Sequence, residues 1–314
     1  MFPMSKRFFF VCLAALVVAG GLGAPRAAVA DDRTIVVGTA GKETDAEVYY
    51  AQDMGFFKKQ GLTVEIQTLP NGAAVASAVA SGALAIGDSN TLSLATARQK
   101  GLPFVIFAPG AIYTSTAPTT ALAVAALGSV KTAKDLAGKI VAGVSLGGLD
   151  QLSLEAWIDK NGGDSTASKY IELPPAEMPA ALERGTVAAV SLPDPVLDAA
   201  VSAGSVRVIG NNYDSIAKTF MITGWFATSD WLAKNPDVAK RFAAALAETA
   251  DWANANHDRA AEILLKYTKI DAHTSHVRFA RTLTAALVLP VLDAGAQYKM
   301  LDRSVALSDL IAVK

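Results

Sequence analysis

The sequence predicts an α/β protein of two lobes, each a mainly parallel sheet flanked by helices, with crossover strands joining them. Three observations carry this. Residues 69–90 (LPNGAAVASAVASGALAIGDSN) and 173–195 (LPPAEMPAALERGTVAAVSLPDP) share one pattern: Leu-Pro, an alanine-rich helix, a glycine, a short apolar strand and a polar cluster. Ahead of each copy runs the same succession of strand, glycine-bearing loop, helix, glycine and strand. The landmarks Gly38/Gly143, Pro70/Pro174 and Gly82/Gly185 are 105, 104 and 103 positions apart. A duplicated alternation of strands and helices builds two parallel-sheet lobes.

The chain opens with an address. Lys6 and Arg7 precede the uncharged run at residues 8–18 (FFFVCLAALVV), glycines and Pro25 interrupt it, and Ala28-Val29-Ala30 is a small-residue cleavage site. The run is too short for a span of about 20 apolar residues, so residues 1–30 are expected to be a signal peptide. Cleavage removes Cys12, the one cysteine, which excludes disulfides and thiol chemistry from the remainder. It also removes Lys6, Arg7 and Arg26 from a chain of 28 basic and 29 acidic residues. No basic patch remains, which argues against nucleic acid as a partner.

Residues 35–38 (IVVG) are a buried-strand pattern, followed by the loop TAGK and a helix that Thr44 and Glu47 are expected to open as a capping box. In the second copy, IVAG at 140–143 leads through VSLGG into a helix. From Ser229 the pattern turns helical: Val238, Phe242, Ala245, Leu246, Thr249 and Trp252 recur at helical spacing, and helices are expected to continue through 272–283 to the tail. The expected organisation is 1–30 leader, 31–120 first part of lobe one, 121–222 lobe two, and 223–314 a return crossover with helices packed on lobe one.

Ligands of such sheets gather outside the carboxyl ends of the strands. The polar clusters fall there: Thr39 to Asp45 and Asp88-Ser89-Asn90 in lobe one, Ser145, Gly147 and Asp150 in lobe two, and Asp194 between Pro193 and Pro195. Thr39, Lys42, Asp45, Asp88, Ser89, Asn90, Ser145, Gly147 and Asp194 are therefore the expected ligand contacts. Trp225, in the segment read as the return crossover, is the expected stacking aromatic. Acids dominate this rim and Lys42 is its one base. Arginine, the usual bidentate partner of an anion, is missing from every rim segment, which favours a neutral or zwitterionic ligand with N–H donors.

With these elements in place, the sequence resembles the nitrate/sulfonate/taurine-type solute-binding proteins of bacterial ABC importers. GFFKKQGL at 55–62, GALAIG at 82–87, KTAKDLAGK at 131–139 and LPPAEMPAALERGTVAAV at 173–190 carry the resemblance, in that order. It implies the two-lobed periplasmic binding protein fold, a soluble periplasmic monomer without cofactor or metal, a small-molecule ligand and an inner-membrane ABC permease as partner. Many members carry an aromatic and a glutamate after the second-lobe strand, where this chain has Leu192-Pro193-Asp194-Pro195. Fungal relatives that synthesise the thiamine pyrimidine carry a cysteine cluster that this chain lacks. The alternative is a secreted hydrolase: Gly143-Val144-Ser145-Leu146-Gly147 matches G-x-S-x-G between a strand and a helix, with His257, His273 and His276 downstream. Against it, no glycine-rich oxyanion segment precedes Ser145, and the histidines fall on segments expected to pack. His273 and His276 as a metal pair lack the further ligands a stable site needs.

Overall fold

The computed structural model describes residues 34–274, 277–302 and 305–312. The expected leader and its cleavage site, Cys12 and His276 lie outside them. Thirteen strands follow in chain order: β1 (Ile35–Thr39), β2 (Val64–Thr68), β3 (Ile86–Asn90), β4 (Phe104–Pro109), β5 (Ala111–Thr114), β6 (Thr120–Ala125), β7 (Ile140–Gly143), β8 (Lys169–Glu172), β9 (Ala189–Pro193), β10 (Val206–Gly210), β11 (Thr219–Met221), β12 (Thr223–Thr228) and β13 (Arg278–Phe279).

The first sheet has the order β2-β1-β3-β12-β4 and the second β8-β7-β9-β6-β10. In both, three parallel strands are followed by one antiparallel strand. That strand pairs antiparallel with the last one, β4 or β10. The two sheets thus repeat each other strand for strand. In each, the reversed strand is the one that arrives from the other lobe: β6 follows β5, and β12 follows β11. β5 and β11 pair antiparallel as the crossover ribbon, and β13 pairs with the free side of β5.

The junction of β11 and β12 is tied into lobe one. The Thr91 amide donates to the Ile222 carbonyl (2.9 Å), and the Thr91 hydroxyl to the Met221 carbonyl (2.9 Å). Beside it, Tyr113, Tyr213 and Phe220 form an aromatic cluster with centroids 5.3 to 5.6 Å apart. The lobe-one core is aromatic as well. Phe242 from the helix Pro236–Ala255 stacks on Phe57 (5.2 Å) and meets Trp225 edge-on (5.8 Å). Lobe two packs mainly smaller side chains, among them Ala123, Ala142, Val190 and Leu192 on one face of its sheet.

Two local expectations are corrected. The capping box at Thr44 and Glu47 does not form: Glu43–Asp45 make a 3-10 turn, Ala46 precedes the helix Glu47–Asp53, and Glu47 is buried. The helix expected across 272–283 is replaced by β13. Val277 and Phe279 are buried while Arg278 between them is exposed, the alternation of a strand on a covered edge. Removing the Phe242 ring should leave a cavity shared by Phe57 and Trp225. Phe242→Ala is expected to lower the unfolding free energy by about 3–5 kcal/mol, measured by urea denaturation.

Candidate functional site

The polar loops of both lobes follow the carboxyl ends of β1, β3, β7 and β9. Three observations bring the lobes together there. Lys42 of lobe one acts electrostatically on Asp150 of lobe two, and Glu43 acts on Asp194. Asn90 Nδ2 lies 3.6 Å from the position a Cβ would occupy on Gly148, and Ser145 Oγ is 2.3 Å from that same position. A side chain at Gly148 would displace the Ser145 hydroxyl, which folds back there while Asn90 approaches from the other lobe.

Several expected contacts shape this cleft rather than line it. The Asp45 carboxylate accepts the amides of Ala40 (2.7 Å) and Lys42 (2.6 Å), so its oxygens close their own loop. Thr39 Oγ1 accepts the Gly41 amide (3.1 Å) within the same turn. Both side chains are buried, and together they present Lys42 at the loop tip. The Gly147 amide is taken by Gln151 Oε1 (2.9 Å), at a backbone φ of +65° that glycine adopts without strain. The stacking role expected of Trp225 is corrected. It sits on β12 inside the first sheet, 0 % exposed, and its indole N–H donates to Glu47 Oε2 (2.9 Å).

The remaining expected residues sit in or just past the carboxyl ends of β1, β3, β7 and β9. Asn90 caps the helix Thr91–Gln99, accepting the Ser93 amide through Oδ1 (2.8 Å). Ser89, on the other face of β3, packs against Gly72, where an added Cβ would come within 2.7 Å of its hydroxyl. Asp88 pairs across the sheet with Trp225 and is 3 % exposed. Its Oδ2 has no hydrogen-bond partner among the described residues. Burial, then the charges of Asp45 and Glu47, push its carboxyl well above the usual range, while Thr223 and Lys42 pull it back. Glu47 is pushed up to about 8 by burial, offset in part by the Trp225 N–H. Asp194 follows β9, its amide held by the Thr119 carbonyl (2.9 Å) and its peptide to Pro195 cis. Burial, then Asp198 and Glu43, push its carboxyl up to about 7. The helix Val196–Ser202 is preceded by Pro195, which gives it no side-chain cap.

Sequence reasoning placed Asp150 on this rim but missed what holds it. Asp150 Oδ1 accepts Ser191 Oγ (3.0 Å) and Tyr213 OH (3.3 Å), and Asn212 Nδ2 donates to Ser191 Oγ (2.9 Å) and Ser153 Oγ (2.6 Å). Asn212 and Tyr213 come from the segment after β10, which has no counterpart in the quoted repeat. Their signal was the polar stretch NNYDS closing a strand.

Ser145 hydrogen-bonds no described histidine: His273 sits in a turn against Asp271 (2.6 Å), and His257 lines a small lobe-one pocket with Tyr50 and Phe279. Among the described residues no group of three histidines, cysteines or carboxylates is disposed to hold a metal ion.

Two sheets of one order, joined by a crossover ribbon, define the two-lobed fold of the periplasmic binding proteins. The chain belongs to the NMT1/THI5-like family, whose model matches residues 44–260. Solved structures share the fold at low identity. The periplasmic aliphatic sulphonate binding protein SsuA from Escherichia coli is 20% identical, with a TM-score of 0.71 over 89% of this chain and 92% of that one. The alkanesulfonate-binding protein SsuA from Xanthomonas axonopodis pv. citri, bound to MOPS, is 16% identical, with a TM-score of 0.71 over 89% and 98%. The periplasmic nitrate-binding protein NrtA from Synechocystis PCC 6803 is 16% identical, with a TM-score of 0.69 over 86% and 83%. Comparison with curated proteins returns no significant match.

The raised carboxyls make the ligand-free protein sensitive to alkali. An acid whose folded pKa exceeds its unfolded one stabilises fully below the unfolded value and loses that contribution as pH rises through the folded value. For Glu47 and Asp194 the window runs from about pH 4 to 8. The melting temperature of the ligand-free protein should therefore fall between pH 5 and 8. Glu47→Gln, which keeps an acceptor for Trp225, should flatten that slope by on the order of a few kcal/mol, read by calorimetry across pH.

Proposed function

We propose that this protein is a solute-binding protein. It captures a small polar organic molecule between its lobes and delivers it to an ABC permease of the inner membrane, as a soluble periplasmic monomer once residues 1–30 are removed. The observation that carries this reading is the convergence of side chains from both lobes, Lys42, Asp88 and Asn90 against Ser145, Asp150 and Asp194, on one cleft beside a crossover hinge. Family membership supports it, as do the sulfonate- and nitrate-binding neighbours. No described helix is long and apolar enough to cross a membrane.

In this reading the lobes close on the ligand. The crossover ribbon flexes, the two rims approach, and the molecule replaces water between them. In this reading Ser145 and Asn90 supply polar contacts where the lobes touch, and Lys42 and the carboxylates set the charge the ligand must match. The pyrimidine, taurine, sulfonate and aromatic-acid classes are the compounds to test.

A thermal-shift panel on leader-free protein, with cations, zwitterions and anions from those classes, tests the reading. A specific binder should stabilise by about 2.7 kcal/mol at a hundredfold excess over Kd. Gly148→Val, which wedges the point of lobe contact, should abolish that shift while circular dichroism stays native. If no compound binds and activated esters are hydrolysed in a Ser145-dependent burst, the solute-binding reading fails. With Ser145 as a binding hydroxyl, Ser145→Ala should instead weaken the ligand by about 0.5–1.5 kcal/mol, measured by titration calorimetry.

A further inference from the structure

Buried side-chain oxygens without a hydrogen-bond partner include Glu47 Oε1, Asp88 Oδ2, Asp194 Oδ1 and Asn212 Oδ1, from both lobes. No buried side-chain nitrogen of the described residues is in that condition. The cleft is short of donors, not acceptors. Asn212 makes this more than a matter of clustered acids, since it is neutral, fully buried, and already donates through Nδ2 to Ser153 and Ser191. Buried acceptors are normally satisfied, and a ligand is the partner a binding cleft exists to receive.

Charge points the same way. The loops and strand ends of the two lobes and the helix start at Glu47 carry Glu43, Asp45, Glu47, Asp88, Asp150 and Asp194, and the Lys42 charge favours ionisation of three of them, Asp45, Asp88 and Asp150. One cation stands against six carboxyl groups. Asp45 is satisfied by its own loop and Asp150 by Ser191 and Tyr213, but Asp88 and Asp194 each retain an open oxygen. These two lie on opposite lobes, Asp88 within β3 and Asp194 just past β9, the matching strands of the repeated sheets.

Resting on the solute-binding reading above, we propose that the ligand is a small organic cation or zwitterion whose protonated amine or amidine is received by Asp88 and Asp194 across the cleft. Such a group brings several N–H donors and a positive charge, and it lets two carboxylates approach that otherwise repel as the lobes close. Lys42 is left to meet an acidic end if the ligand has one. A bare anion of the kind named for SsuA or NrtA would add negative charge to this rim and leave its acceptors unmet.

Matched probes decide it: taurine against isethionate, which exchanges the amine for a hydroxyl, and benzamidine against benzoate, with putrescine as a plain cation. The expected result is that at least one amine or amidine binds leader-free protein at pH 7.5 at least tenfold more tightly than its matched anion, or, for putrescine, than any anion tested. Asp194→Asn should weaken that probe by tenfold or more, with the ligand-free melting temperature little changed. Asp88→Asn should do the same; if it fails to fold, Asp194→Asn alone decides. Binding by anions only, or an amine that binds Asp194→Asn as tightly as the parent, overturns the charge assignment and leaves the solute-binding reading standing. Silence from every probe, anions included, counts against both.

Discussion

Lobe one cannot be completed until the chain has built lobe two and returned. β12 lies between β3 and β4, paired with both, and it arrives only after β11 has crossed back. This insertion sets the cleft wall. It places Trp225 opposite Asp88, supplies the N–H that holds Glu47, and brings the Thr223 hydroxyl to the Thr44 carbonyl (3.0 Å) beneath the Lys42 loop. The carboxylates of lobe one are therefore positioned by a strand delivered from the far side of lobe two. The link between the lobes is thus built into the sheet itself.

The electrostatics follow from that wall. A carboxylate in the interior is disfavoured unless it is paired or hydrogen-bonded. Here the chain uses both remedies selectively. Asp45 is bonded by its own loop and Asp150 by a hydroxyl ladder running to Asn212, whereas Asp88, Glu47 and Asp194 are left with open oxygens and raised pKa values. Groups perturbed by burial and lining a cleft are where function is expected to concentrate. The ladder also connects the cleft to the hinge: Tyr213 donates to Asp150 and packs its ring against Tyr113 and Phe220 of the crossover ribbon.

Much of this was legible in the sequence, and the limits have physical causes. The duplicated strands β1, β2, β3 and β7, β8, β9 were visible because glycines and Leu-Pro pairs punctuate them at matched spacing, and the two-lobed fold they imply is the one observed. The reversed strands were not. TALAVA and TGWFAT are apolar runs, and an apolar run records burial but not direction. β13 escaped because two residues make no period. At the strand ends, the pattern marked the polar loops but could not tell a carboxylate left open from one that staples its own turn. Asp45 and Asp88 look alike on paper, and only the Ala40 and Lys42 amides separate them. Trp225 was misplaced because its partner Glu47 lies 178 positions away.

The short strand β13 gives the hinge a mechanical asymmetry. β5 is paired on both sides, by β11 and by β13, while β11 has β5 alone. The crossover nearer the start of the chain is thus splinted by a segment anchored in the C-terminal helices, where the Phe279 amide and carbonyl bond Asn254 (3.0 and 2.8 Å). β11 is held differently, by the Thr91 hydroxyl at the Met221 carbonyl rather than by a second strand. A chain trimmed before Arg278 would lose that brace together with the helix Ala285–Gln297, whose Val288 and Val291 are buried in the lobe-one core.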